Sequence, residues 1–295
     1  MYPLVTPLCK DEHYLKSGTA VLARIADPDS VNVLYSLLQS PYPEVKKNVT
    51  WALFRVRAAS NVRIAAELNK LVSSETEPLD VRINSVRALG AMGFDTPALK
   101  IWQTMITTAK MRGENYSTLR RFAIRALGSL GTANEEVKQA LVSIASREKN
   151  LELKKEALFS LQKLAVVDKS VERSLAVLAK QVEDVELKVR IIELLGDMGS
   201  PETIRPASEI LEGNHPPSMK NRVVYALSRA GGNEAYTAII DAAEEVSLRE
   251  YILAALESAD KEQMKSIISR RLKAENDEEI ISLLEFLQEE FNTQY

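Results

Sequence analysis

Apolar residues recur along almost the whole chain at helical spacing, and nowhere does the pattern alternate as a strand would. In Val81, Ser85, Val86, Ala88, Leu89 and Met92 the offsets are those of one buried helix stripe. Equivalent stripes return wherever an apolar residue is followed by a base: Val45-Lys46, Val81-Arg82, Leu119-Arg120, Leu153-Lys154, Leu187-Lys188, Met219-Lys220 and Leu248-Arg249. Seven residues after each base comes a leucine: Leu53, Leu89, Leu127, Leu161, Leu195, Leu227 and Leu256. A small residue usually precedes it (Ala52, Ala88, Ala126, Ser160, Ala226, Ala255), with Leu194 the exception. The bases are 36, 38, 34, 34, 32 and 29 residues apart, the size of a two-helix repeat.

The same register places a glycine where each second helix should end, at Gly93, Gly131, Gly199 and Gly231, with Ala165 in the remaining slot. A glycine there can take the left-handed conformation that closes a helix. First helices are predicted near 29–39, 62–72, 96–110, 133–146, 171–181, 201–211, 234–245 and 261–274. Thr96-Pro97 and Ser200-Pro201 put a capping hydroxyl ahead of a proline suited to the first turn. The pattern predicts an all-α fold of about eight helix pairs with a capping helix near 15–25. It divides into an N-terminal segment and cap (1–28), repeats (29–260) and a C-terminal capping repeat with an acidic end (261–295). Longer loops are expected at Met111 to Tyr116 and at Glu212 to Pro217.

The run Asp80-Val81-Arg82…Ala88-Leu89-Gly90, echoed by Leu119-Arg120…Ala126-Leu127-Gly128 and Leu187-Lys188…Leu194-Leu195-Gly196, resembles the second helix of a HEAT repeat. The resemblance covers nearly the whole chain. It implies helix pairs stacked into a continuous right-handed superhelix, with the second helices lining a concave groove. It says little about function, because HEAT-like chains serve as transport receptors, phosphatase scaffolds, pigment lyases and DNA glycosylases. The copies fade at the ends: Lys16 opens one with Ala23 in the leucine slot, and 277–287 keeps Leu284 without a base. Atypical end repeats are what a stack requires.

Composition narrows the picture. With 45% hydrophobic and 27% charged residues the chain folds rather than staying disordered. A net charge of −3 gives no general attraction to nucleic acid or to an acidic membrane. No apolar run approaches the roughly 18 residues of a membrane span, and Met1 to Cys9 lack the basic start of a secretory signal, so the expected location is cytoplasmic. One cysteine, Cys9, and two separated histidines, His13 and His215, leave no disulfide framework and no metal cluster. No cofactor is expected, and the chain should be a monomer.

The repeated base reads as a structural ladder, paired with Glu44, Asp80, Glu152 and Glu186 two residues earlier. Each exposed pair would add about 0.2–1 kcal/mol. The candidate binding positions lie one, two, five and nine residues past each base, turned away from the buried stripe. They hold Trp51, Arg87, Arg121, Arg125 and Phe159, then Arg190, Arg222, Tyr225, Arg229 and Tyr251, along with Lys47, Arg55, Phe122, Lys155 and Lys163. Ten bases face four acids (Glu156, Glu193, Asp197, Glu250) on this surface, although the whole chain is acidic. Arginine and aromatic side chains exposed together are common anchors of recognition surfaces. The expectation is a non-catalytic scaffold holding an acidic segment of a partner protein. On that reading, reversing the charge of Arg87, Arg125 and Arg222 should leave the fold intact. The alternative is a nucleic-acid-binding HEAT-like protein of the alkylpurine DNA glycosylase type, with Glu156, Glu193 or Glu250 as the acid. The HEAT-repeat metal hydroxylases are set aside, because neither histidine is followed by glutamate.

Overall fold

The computed structural model describes residues 2–11, 13–57, 61–257 and 259–293. The chain is all-α, with no strand among the described residues, and it separates into two compact units, Met1–Leu164 and Ala165–Tyr295. In the first unit two short helical turns, Tyr2–Val5 and Thr6–Cys9, and the helix Leu15–Ile25 precede four pairs: Val31–Leu37 with Pro43–Val56, Val62–Ser73 with Leu79–Met92, Ile101–Ala109 with Ser117–Ser129, and Glu135–Arg147 with Leu151–Lys163. The two helices of every pair in this unit pack on each other, and each second helix packs on the next. Leu15–Ile25 packs on Pro43–Val56, which makes it the second helix of a truncated repeat.

The second unit repeats the scheme with Lys169–Gln181 and Val185–Asp197, Ile204–Glu212 and Pro217–Ala230, Asn233–Asp241 and Arg249–Leu256, and Lys261–Leu272 and Glu278–Thr293. Its first three second helices again stack in order. No helix among the described residues is long and apolar enough to cross a membrane.

All seven leucines picked out by the repeat are buried, none more than 1% exposed. The Leu-Gly pairs explain how the second helices come together. A β-carbon added at Gly90 would lie 3.3 Å from the Cβ of Ala126; at Gly128 it would lie 2.8 Å from the Cα of Ser160. At Gly196 it would lie 2.9 Å from the Cα of Ala226 and closer still to that residue's carbonyl oxygen. The glycine after the leucine of one repeat therefore receives the small residue before the leucine of the next. Ser160 adds a buried hydrogen bond at this contact, its hydroxyl donating to the Ile124 carbonyl at 2.9 Å.

The helix-closing slots behave as the register predicts. Gly93, Gly131, Gly199 and Gly231 have φ of 65–68°, and Ala165 takes φ 48° in the same role. A left-handed conformation costs an L-residue about 1–2 kcal/mol, and glycine returns part of that gain as unfolded-state entropy. Ala165→Gly should therefore stabilise the chain by about 0.5–1 kcal/mol in urea unfolding. A loss of stability would mean that the Ala165 methyl group contributes packing that outweighs the strain.

Two local expectations are corrected. The helix expected to start at Thr96 begins at Ile101, because Lys100 turns left-handed (φ 47°) and breaks the turn that starts at Thr96. Asp95 serves that end instead, its carboxylate accepting from the backbone N–H groups of Ile101 at 3.0 Å and Trp102 at 2.9 Å. The ladder bases, moreover, do not pair with the acids two residues before them. Residues two apart on a helix do not face each other. The bases reach back to carbonyls at or just past the end of their own first helix: Arg82 Nε to Val72 (3.0 Å), Arg120 Nε to Ala109 (3.0 Å) and Arg249 Nε to Ala243 (3.1 Å). They also reach forward to an acid of the next repeat, as Lys46 does to Glu77, Arg120 to Glu148 and Lys220 to Glu245 (2.6 Å). The hydrogen bond from Lys220, ahead of one from Ser247, holds the Glu245 carboxyl below the usual carboxylate range. Arg82 and Lys220 are themselves buried, so these are not the exposed pairs first expected.

Candidate partner-binding face

The second helices present accessible side chains along positions one, five and nine past the ladder bases, except that Val189, at position one, is buried. Those positions are four residues apart and so form one line down the helix. Position two lies about 100° around the helix from position one and about 60° from position five, toward the flank where the preceding repeat packs. All ten residues expected to meet a partner have access to solvent: Arg121, Arg125, Phe159, Tyr225, Arg229 and Tyr251 are exposed, and Trp51, Arg87, Arg190 and Arg222 are half-buried. Glu156, expected to share that surface, is buried instead, with 7% exposure.

Burial of Glu156 reflects a contact that recurs between repeats. The residue five past one base meets the residue two past the next. Arg125 thus forms a bidentate pair with Glu156, Nε to Oε1 at 2.8 Å and Nη2 to Oε2 at 2.7 Å. Glu193 and Arg222 form the same pair with the charges exchanged, at 2.7 and 2.8 Å, and Arg222 takes Glu186 as well at 2.9 Å. These hydrogen bonds, led in each case by the bidentate partner, hold the Arg125 and Arg222 guanidinium groups above their ordinary pKa. Lys47 pairs with Asp80 at 3.3 Å, Arg190 lies 3.6 Å from Glu186, and Arg229 pairs with Asp197 at 2.5 Å. Much of the positive surplus expected on this face is therefore neutralised between repeats, and reversing Arg125 or Arg222 is not a surface change.

The other junctions carry no such ion pair at these two positions, and one of them gathers aromatic rings instead. Arg87 occupies position five, and position two of the next repeat is Phe122. The guanidinium carbon of Arg87 lies 4.9 Å from the Phe122 ring centre, 4.5 Å from Trp51 and 4.3 Å from Phe54. Its Nε is buried without a hydrogen-bond partner among the described residues. Burial, and then the nearby Arg125 charge, push the Arg87 pKa down. Arg121 also lies over Phe122, at 5.3 Å. The structure thus gathers Trp51, Arg87, Arg121, Phe122 and Arg125 into one cluster in the first unit. In the second unit, Glu186 links Arg190 and Arg222, and Tyr225 and Tyr251 stand exposed on successive second helices.

No family model and no curated protein matches the chain. Among solved structures it is similar to a chain from a study of a conserved phosphorylation switch that controls the interaction between cadherin and beta-catenin. The TM-score is 0.55 and the sequence identity 15%, over 92% of this chain and 65% of that one. An engineered protein solved by a structural genomics consortium is 17% identical with a TM-score of 0.42, over 87% of this chain and 96% of that one. The first likeness is one of fold.

Two residues escaped the sequence reading. Phe54 lies eight past its base, off the positions considered, and it supplies the closest ring to Arg87. Glu156 was placed on the open surface because position two was treated as equivalent to position five. Reading position five of each repeat against position two of the next would have found both ion pairs and the base, Arg87, that meets a ring instead of an acid.

Proposed function

We propose that the protein is a non-catalytic scaffold of HEAT type whose second-helix face holds an acidic segment of a partner protein. The observation that carries this reading is the exposure of large aromatic side chains on that face beside bases: Phe159 is 45% exposed, Tyr251 39% and Tyr225 36%. Rings left in water on a face that also carries arginines give area and directed contacts at small entropic cost. The solved structure of similar fold comes from work on an interaction between two proteins, which agrees with a binding role. Against an acid catalyst, Glu156 and Glu193 are each gripped by two guanidinium hydrogen bonds. Both oxygens of each carboxylate are thereby engaged within the fold and are not turned toward a substrate.

Photo-crosslinking in extract from the source organism tests the proposal. A photoreactive phenylalanine is placed at Phe159 or Tyr251 on the second-helix layer, and at Val62 or Val177, which are exposed on first helices. The same protein should be captured from Phe159 and Tyr251, and little from the other two. Capture dominated by the first-helix positions, or material that nuclease removes, would refute the reading.

A further inference from the structure

The cluster around Arg87 opens on a cleft of about 360 Å³ in the first unit, lined by the end of Pro43–Val56 and by the following three second helices. Phe54 and Phe122 line it, and between them the surface is small and apolar at Gly90, Ala91 and Ala126. Its charges are one-sided. Arg57, Arg87, Arg125 and Lys163 all line the cleft, and no carboxylate does. Of these four, Arg125 has its own counter-charge in Glu156. Among the described residues the Lys163 ammonium reaches a hydroxyl and no carboxylate, donating to Ser129 Oγ at 2.8 Å. Arg87 has the three rings.

Like charges gathered around a half-enclosed space repel one another, and an entering anion relieves that repulsion while gaining charge-assisted hydrogen bonds. The aromatic lining asks in addition for a flat apolar group. We propose that this cleft is the receptor for a glutamate or aspartate side chain that adjoins an aromatic residue in the partner segment. The carboxylate pairs with Arg87 and Lys163, and the ring lies on the small apolar surface of Gly90, Ala91 and Ala126. This assignment rests on the scaffold reading above and narrows it to one place and one ligand chemistry.

The probe is a fluorescein-labelled peptide, Gly-Glu-Glu-Phe-Glu-Gly, followed by anisotropy with the full chain. In a Trp102→Phe background, Trp51 beside Arg87 is the remaining tryptophan and reports on the cleft. The peptide should bind and shift Trp51 emission, and exchange of its glutamates for glutamine should abolish both effects. Arg87→Gln should weaken binding about tenfold, as loss of a charge-assisted contact does. Lys163→Gln should weaken it about threefold; its exposed site leaves folding undisturbed, which circular dichroism checks. Arg205→Gln, an exposed base in the second unit, should change nothing. Unaltered affinity in both cleft variants, equal binding of the glutamine peptide, or a still Trp51 signal would each overturn the assignment. So would a phosphotyrosine peptide without glutamate that binds more than about tenfold tighter, since two-charge anions would then be the ligand. If crosslinking at Phe159 and Tyr251 survives Arg87→Gln, the scaffold reading stands and the cleft alone fails.

Discussion

Gly196→Val is expected to cost about 3 kcal/mol or more of folding stability, whereas Gly90→Ala should change it by less than about 1 kcal/mol. Both glycines follow the leucine of a second helix, and both face the small residue of the next repeat. The difference is distance. At Gly196 even a methyl group would press on the backbone of Ala226, whose carbonyl carbon and Cα lie 2.9 Å from the β-carbon position. Backbone cannot rotate away, so Val185–Asp197 and Pro217–Ala230 must separate and give up close packing along their length. At Gly90 the nearest atom is the Ala126 Cβ at 3.3 Å, a contact that a few tenths of an ångström would relax. There the gain of about 1 kcal/mol in helix propensity offsets the crowding. Urea unfolding of the two variants decides the matter. Similar losses at both positions would show that spacing between second helices is not set by these glycines.

The ease of reading this chain differs between features, for a physical reason. Leu53, Leu89 and the rest of the leucine series stand out because a helix buried on one side must repeat an apolar residue every three to four positions. Glycine slots such as Gly93 and Gly199 stand out because helix ends need a left-handed residue, and Ala165 could be placed by period alone. Both are local requirements. The contacts that shape the candidate site are not local: Arg125 meets Glu156, and Gly90 meets Ala126, from different repeats. Each partner is an ordinary residue for its own helix, and only the register of one repeat on the next pairs them. Asp95 was missed differently: Thr96-Pro97 offers a sound local cap, but Lys100 closes that turn and the carboxylate caps the helix beyond it.

Arg125→Glu should destabilise the protein by about 2–3 kcal/mol, and the exchange Arg125→Glu with Glu156→Arg should recover most of that loss. Glu156 is buried and its two oxygens are filled by Arg125. Taking the base away strands a carboxylate out of water, and putting a second carboxylate in its place adds repulsion. The Arg125 side chain is half exposed, which lets water screen part of the cost and keeps it below that of a fully buried pair. The exchange has a precedent within the chain: at the corresponding junction of the second unit the acid, Glu193, holds position five and the base, Arg222, position two. The junction geometry thus accepts either polarity, so long as one member of each sign is present. Arg121→Glu is the control; that side chain is exposed and lies over the Phe122 ring, so its cost should stay within about 0.5 kcal/mol. Chemical denaturation of the parent chain, Arg125→Glu, Glu156→Arg and the exchanged pair gives the coupling energy. If the exchanged pair is no more stable than Arg125→Glu alone, the bidentate contact does not hold these repeats in register.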